Sequence, residues 1–396
     1  MSILFTPFRL GTLNVPNRFV RSATGEGMCE PDGRATPQLA EFYGALARGG
    51  TGLIITGHSF VRADGKASDG MMGVHDDACI PGLKGVVDAV HATDAKVVCQ
   101  LNHAGRQTTP ERIGGHTPVA PSAVTDKASG LMPRALATDE IEPLIDSYVA
   151  AAQRCREAGF DGVQLHCAHG YLMSEFLSPY TNRRDDAWGG GSEAVESRAR
   201  FPLEALRRIR TTLGADYPVL MKLNAEDFIN GGLTLDQSTR IGALMEAGGI
   251  DAIEISAGMA ETAGQIMRKG IVSEEDEAYF LPYCREFRRH VSVPIICVAG
   301  LRSVGVMESV VEGGAADMVS LCRPLIREPD LPNKLRSGES TRATCISCGR
   351  CTRDPQGWLG CSLDFDAAAD GQGGRNARPQ FARGGQTGTA HSGGGG

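Results

Sequence analysis

No stretch of the sequence approaches the ~18 consecutive apolar residues that a membrane-spanning helix needs. The first residues, MSILFTPFRLG, lack a basic region followed by an apolar core, so no secretory signal is expected. Basic residues are not in excess. There are 40 Lys+Arg against 47 Asp+Glu, for a formal net charge of -7, which gives no electrostatic reason to expect nucleic acid or an anionic membrane as partner. No internal repeat is visible. Cysteine is sparse, 12 in 396 residues, and eight of the twelve are scattered, several inside apolar runs such as KVVCQL and PIICVA. Together with the missing signal this reads as a reduced, cytoplasmic chain. Against these absences stand 41% hydrophobic residues, enough for a real core, and an unusually high glycine count of 51. A prior of roughly 150 residues per domain suggests two or three domains, although an α/β barrel can take about 250 or more as one unit.

Short, continuously apolar runs recur through the first 325 residues, at about 16–22, 51–56, 96–101, 162–167, 219–224, 252–256, 294–299 and 318–322. Continuous rather than alternating apolarity fits strands covered on both faces. Amphipathic stretches lie between them, at 37–48, 82–93, 141–158, 194–213, 235–247, 276–290 and 303–312, and several end in Gly, as helix C-termini do. Eight alternations of strand and helix predict a closed (β/α)8 TIM barrel. Two long loops, 102–138 and 178–193, follow the third and fourth strands, at the rim where barrel active sites are built. The expected organisation is a barrel over 1–340, a Cys-rich segment over 341–365 and a disordered tail over 366–396 with almost no apolar periodicity.

The polar residues at the strand ends converge on that same rim. Ser22 and Thr24 end the first strand, and Gly57 and His58 the second. Gln100 ends the third, with Asn102, His103 and Arg106 after it, while His166, His169 and Tyr171 end the fourth. Lys222 lies in the fifth, Ser256 ends the sixth, Gly300 and Arg302 follow the seventh, and Cys322 and Arg323 follow the eighth. The loops after strands seven and eight are where barrels commonly bind phosphate, with backbone N–H groups, a helix N-terminus and a cation. A separate signal is Cys345-x2-Cys348-x2-Cys351-x9-Cys361, four thiols within 17 positions. In a reduced chain it suggests a metal centre rather than disulfides; tetrahedral zinc and a site holding nothing both stay open.

These motifs resemble the old yellow enzyme family of FMN-dependent oxidoreductases. The matching strings are LFTPFRLGTLNVPNRFVRSAT (4–24), GLIITGH (52–58), QLNHAGRQ (100–107), GFDGVQLHCAHGYLMSEFLSPYTNRRDD (159–186), SRARFPLEALRRIR (197–210), KLNAEDF (222–228) and CRPLIREPDL (322–331). Within the family, the Cys-rich end looks most like the branch of 2,4-dienoyl-CoA reductase and trimethylamine dehydrogenase. Those relatives continue into a nucleotide-binding region with GxGxxG, a string this sequence does not contain.

The resemblance implies FMN at the barrel mouth and NAD(P)H as reductant. By position, Ser22, Ala23 and Thr24 would lie against the flavin ring, with Gly57 at its edge. Gln100 would bond its pyrimidine edge and Lys222 would sit beside N1 and O2. Gly300, Arg302, Cys322 and Arg323 would bind the phosphate. His166 and His169 match the pair that polarises an activated carbonyl, and Tyr171 the proton donor to the α-carbon. The implied reaction is reduction of a small α,β-unsaturated carbonyl compound. The Cys cluster, by the same resemblance, implies a [4Fe–4S] centre. That opens an alternative, a dehydrogenase or demethylase passing electrons through the cluster to an acceptor protein. A third reading, a flavin-free aldolase-like barrel with Lys222 as Schiff base, requires absence of flavin. Neither the substrate nor the nicotinamide is specified, and a homo-oligomer stays open.

Overall fold

The computed structural model describes residues 2–369. Eight parallel strands are present: β1 (Phe19–Arg21), β2 (Leu53–Ile55), β3 (Lys96–Asn102), β4 (Gly162–Cys167), β5 (Val219–Asn224), β6 (Ala252–Ser256), β7 (Ile295–Val298) and β8 (Met318–Leu321). Each pairs with its sequence neighbours, and β8 pairs with β1, which closes the barrel. The eight apolar runs are therefore the eight barrel strands. Helices α1 (Pro37–Arg48), α2 (Ile80–His91), α3 (Thr138–Ala158), α4 (Val195–Leu213), α5 (Leu235–Ala247), α6 (Leu281–Phe287), α7 (Val304–Glu312) and α8 (Leu331–Ser337) form the outer layer. Among the described residues no helix is long and apolar enough to cross a membrane.

Local chemistry explains where the helices begin. The Thr36 side chain accepts from the Leu39 amide and Pro37 occupies the first turn of α1, where its missing N–H costs nothing. In α5, Thr234 and Gln237 form a reciprocal capping box. One expected helix is shorter than its pattern. The stretch 276–290 becomes helical only from Leu281, and 257–280 forms a third long rim loop after β6. The glycines of that loop, Gly258, Gly264 and Gly270, lie before residue 276, while 276–280 carry no Gly or Pro to mark that the helix starts only near Pro282.

An N-terminal hairpin, Phe8–Leu10 against Leu13–Val15, plugs the lower end of the barrel. Its Leu10, Leu13 and Val15 pack with Val20, Val98, Leu220, Ile296 and Met318 from inside the barrel. The upper end is left to polar residues. The backbone of Ser362–Ala369 is helical, so the first four residues of the expected tail are helix; the remainder of that tail lies outside the described residues.

Candidate active site

Strand periodicity places the site. Side chains two apart in a strand share a face. The inward face of β5 therefore runs Leu220, Lys222, Asn224, and that of β6 runs Ala252, Glu254, Ser256, paired residue for residue. The apolar layer at the plug gives way to a polar layer at mid-barrel, in which Glu254 is the hub. Its carboxylate accepts from Ser22 Oγ (2.6 Å), Ser320 Oγ (2.9 Å) and Gln164 Nε2 (3.1 Å), and pairs with Lys222 Nζ at 3.2 Å. Lys222 also donates to Ser22 Oγ at 2.7 Å, and Gln100 Nε2 donates to Gln164 Oε1 at 2.7 Å. All six residues are buried. Burial pushes the Glu254 carboxyl up, but Lys222 and the hydrogen bonds from Ser22, Gln164 and Ser320 outweigh it and hold it below its ordinary value. Gln164 and Ser320 were missed in the sequence and Glu254 carries no strand-end motif. The signal that finds them is the i, i−2 register beneath His166, Ser256 and Cys322.

Above this floor is a cavity of about 420 Å³. His166, His169 and Tyr171, expected together at the end of the fourth strand, line it together. The His166 ring centroid is 5.2 Å from that of His169 and 5.0 Å from that of Tyr171. Desolvation drives both imidazoles well below their ordinary pKa, so they are neutral, and burial pushes the Tyr171 hydroxyl up to about 12. His166 Nδ1 is buried with no partner, whereas His169 Nε2 shares a proton with Ser256 Oγ at 2.7 Å. His169 sits at φ 65, and its backbone N–H is held by Asn224 Oδ1 at 3.2 Å. His58 is a third imidazole in the wall, 5.0 Å from the Tyr171 ring, with Nδ1 2.9 Å from the Asn102 amide. Burial holds its pKa at about 4.

The other end of the cavity is lined by Gly300, Arg302, Cys322 and Arg323. Gly300 needs its glycine, because φ is 73 and a Cβ would stand 2.9 Å from the Tyr279 ring. Arg302 is fully buried, yet its Nη1 has no partner. The N-terminus of α7 is not open to a phosphate as expected: the Glu277 carboxylate takes the backbone N–H groups of Arg302 (2.7 Å) and Ser303 (2.8 Å). An anion here is left with the two guanidinium groups and the β8 turn.

Ser22, Ala23, Thr24, Gln100 and Lys222 also line the cavity, as expected, whereas Gly57 is absent from its wall. The Gly57 N–H is committed to Tyr43 Oη (2.8 Å) and Glu26 Oε1 (3.2 Å), and a Cβ there would meet Glu26 Oε2 at 2.2 Å. Gly57 therefore lets a buried Arg21–Glu26–Tyr43 network close beneath the site. Arg106 and His103 are likewise turned into structure. Arg106 is bonded to Glu261 (2.7 Å) and His103 to Asp64 (3.2 Å).

The cysteine segment packs against the anion end. Cys351 and Cys361 face each other in the hairpin Cys351–Arg353 with Leu359–Cys361. Among the described residues no group of three or more His, Cys, Asp or Glu is arranged to hold a metal. Burial, with the neighbouring Cys345 and Cys361 adding to it, pushes the Cys351 thiol up to about 11. The described residues thus do not show the metal centre that the spacing of Cys345, Cys348, Cys351 and Cys361 suggested, nor the [4Fe–4S] cluster that the resemblance implied.

A closed parallel barrel with a cavity at the C-terminal ends of its strands, into which a few polar side chains converge, is the architecture of a barrel enzyme. The comparisons narrow this. Residues 3–342 match the NADH:flavin oxidoreductase / NADH oxidase family, and the chain belongs to it. It is 38% identical over 349 residues to an NADH oxidase of Thermoanaerobacter brockii, covering 87% of this chain and 52% of that protein. Among solved structures, 2-naphthoyl-CoA reductase in complex with 2-naphthoyl-CoA superposes with a TM-score of 0.80 at 31% identity, over 86% of this chain and 54% of that one. An old yellow enzyme homologue from Zymomonas mobilis superposes with a TM-score of 0.75 at 28% identity, over 90% of this chain and 98% of that one. The chain spans about half the length of the first two proteins.

Proposed function

We propose that the protein is an FMN-dependent NAD(P)H oxidoreductase that reduces the conjugated C=C bond of an α,β-unsaturated carbonyl compound. The observation that carries this is the grouping of neutral His166 and His169 with Tyr171 directly above the Lys222–Glu254 floor. The residues fit FMN on three counts: an unpartnered buried Arg302 Nη1 at one end, a buried cation at Lys222, and an amide at Gln100. In this reading Ser22–Thr24 support the ring, Gln100 and Lys222 face its polar edge, and Gly300, Arg302, Cys322 and Arg323 hold the phosphate. Held by these residues, FMN would supply hydride-transfer chemistry between a nicotinamide and an electron-poor carbon.

The chain's own groups then act on the substrate. His166 and His169 are neutral N–H donors; converging on one carbonyl oxygen, they stabilise the negative charge that develops there. Ser256 orients His169, and the His169 backbone is fixed by Asn224, so the donor pair is preorganised. Tyr171 keeps its proton at neutral pH, because burial raises its pKa, and supplies it to the α-carbon. Lys222 presents a fixed positive charge, held in place by Glu254. The 2-naphthoyl-CoA reductase, whose named ligand carries a carbonyl conjugated to unsaturated carbon, supports this class of substrate. The barrel of 1–340 carries the chemistry, and 341–365 closes its anion end. Among the described residues no arrangement of thiols adds support to the electron-transfer alternative.

Purified protein should be yellow, NAD(P)H should bleach it under anaerobic conditions, and 2-cyclohexenone should restore the colour. Protein that stays colourless after addition of FMN refutes the proposal.

A further inference from the structure

Within the cysteine segment the usual partition of side chains is reversed. Ile346 is 48% exposed, while its neighbour Ser347 is 0% exposed. Ser347 also sits at φ 55, a left-handed conformation that is disfavoured for a non-glycine residue. Both features serve one contact set. Ser347 Oγ accepts from Arg302 Nη2, and the Ser347 carbonyl accepts from Arg323 Nη1 at 3.3 Å. A single residue thus bonds both cations at the anion end of the cavity. The remaining donors of these guanidiniums are also constrained: Arg302 Nε donates to Ile271 O (3.3 Å) and Arg323 Nη2 to Arg268 O (2.9 Å). Only Arg302 Nη1 is buried without a partner. The segment itself is anchored on the barrel, through Ala343 N to Arg302 O (3.0 Å), Thr344 N to Glu328 Oε2 (2.7 Å) and Arg327 Nη1 to Thr344 O (2.8 Å).

We propose that Ser347 is a positioning residue for the phosphate of FMN, acting through Arg302 and Arg323, and that the Cys345–Cys351 loop and flavin occupancy are therefore coupled. The inference rests on the phosphate assignment above. A guanidinium is planar, so fixing one N–H fixes the direction of the others. Ser347 takes one donor from Arg302 with its hydroxyl and one from Arg323 with its carbonyl. The pair is then aimed before any ligand arrives, which lowers the ordering cost of binding. Coupling is reciprocal: whatever FMN does to the order of the loop, the loop does to the affinity for FMN. Since Cys345 and Cys348 flank Ser347, a change at either thiol reaches the phosphate site through two peptide units or fewer.

The test compares FMN with riboflavin, which lacks the phosphate, in fluorescence titrations of the full chain and its variants. Ser347→Gly removes the hydroxyl and is free of strain at a left-handed position. It should weaken FMN about tenfold and leave riboflavin unchanged, a factor that corresponds to ~1.4 kcal/mol, the upper part of the range for one typical hydrogen bond. No change in FMN affinity, or equal weakening of both ligands, overturns the proposal. Arg323→Gln should also weaken FMN selectively. If it does not, the phosphate assignment fails and the Ser347 inference with it; if it does while Ser347→Gly has no selective effect, only the Ser347 inference fails. Should Ser347→Gly not fold, hydrogen exchange on the unaltered chain decides. Amides of residues 344–349 should be slowed by FMN and not by riboflavin; equal slowing, or none, overturns the coupling.

Discussion

Replacing Glu254 by glutamine tests the buried floor most directly. The carboxylate carries the only negative charge in the polar layer and is 3.2 Å from Lys222 Nζ. At an effective dielectric constant of 20, two unit charges at that distance attract by about 5 kcal/mol. Glutamine keeps the shape and can still bond Lys222 and Gln164 through its oxygen. Its NH2 group would face Ser22 and Ser320, whose hydroxyls can rotate to accept. The hydrogen bonds are therefore largely retained, and the loss is the charge. Leaving one member of a buried pair typically costs about 3–5 kcal/mol, a large share of the ~5–15 kcal/mol that holds a domain together. Glu254→Gln should accordingly lower the urea-unfolding free energy by about 3 kcal/mol at pH 7. The double variant Glu254→Gln/Lys222→Met should recover most of that, because neither partner is then left as an unpaired buried charge. The pH dependence follows from the same pair. The folded carboxyl lies below its unfolded value, so its contribution is present above the unfolded pKa and is lost as pH falls through the folded one. Wild type should lose stability in acid more steeply than the single variant. A single variant within ~0.5 kcal/mol of wild type at pH 7, the range of an ordinary surface change, would refute the pairing argument.

Three further outcomes are expected. Tyr171→Phe should leave anaerobic bleaching by NAD(P)H intact but slow re-oxidation by an enone about 10²-fold or more, as measured by stopped-flow absorbance, since only proton delivery is removed. Gly57→Ala, whose Cβ would stand 2.2 Å from Glu26 Oε2 and 2.8 Å from Thr24 O, should lower stability by about 1–3 kcal/mol in a denaturant titration. Glu175, pushed up to about 8 mainly by burial, binds a proton in the folded state that the unfolded state has released. Its contribution is fully present below the unfolded pKa near ~4.3 and declines as pH rises toward 8, by at most about 1.4 kcal/mol per unit. Glu175→Gln should remove this decline, leaving the variant more stable than wild type at pH 9; an unchanged slope in the pH-stability profile would contradict it.

Much of this was legible in the chain itself. Each barrel strand is a short apolar run because it is covered on both faces, and that signal survives without any neighbour being known. The helix starts are written locally, as at Thr36-Pro37 and in the Thr234–Gln237 box. The strand-end polar residues could be gathered onto one rim because a closed parallel barrel brings all its C-terminal strand ends together, and His166, His169 and Tyr171 do meet there. What local pattern could not supply was partnership across sequence. Gln164 and Ser320 are single polar letters inside apolar runs, and only the barrel's closure brings them, with Ser22, onto Glu254 from 66 to 232 residues away. Gly57 and Arg106 carry motif letters that point to the cavity, yet Gly57 is bonded to the Glu26–Tyr43 network and Arg106 to Thr125 and Glu261 of the rim loops. Glu277 covers the α7 N-terminus from a loop whose pattern read as helix. The four cysteines have a ligand-like spacing, but spacing constrains only the path between thiols. Whether they converge depends on the hairpin that sets Cys351 opposite Cys361 and on the burial of Ser347 between two arginines. The amino-acid sequence by itself therefore determined the barrel, its rim and the family chemistry, since these rest on short-range periodicity and contiguous motifs. Tertiary structure alone decided which polar groups are ligand-facing and which are consumed by one another, because a hydrogen bond between residues two hundred positions apart has no local signature.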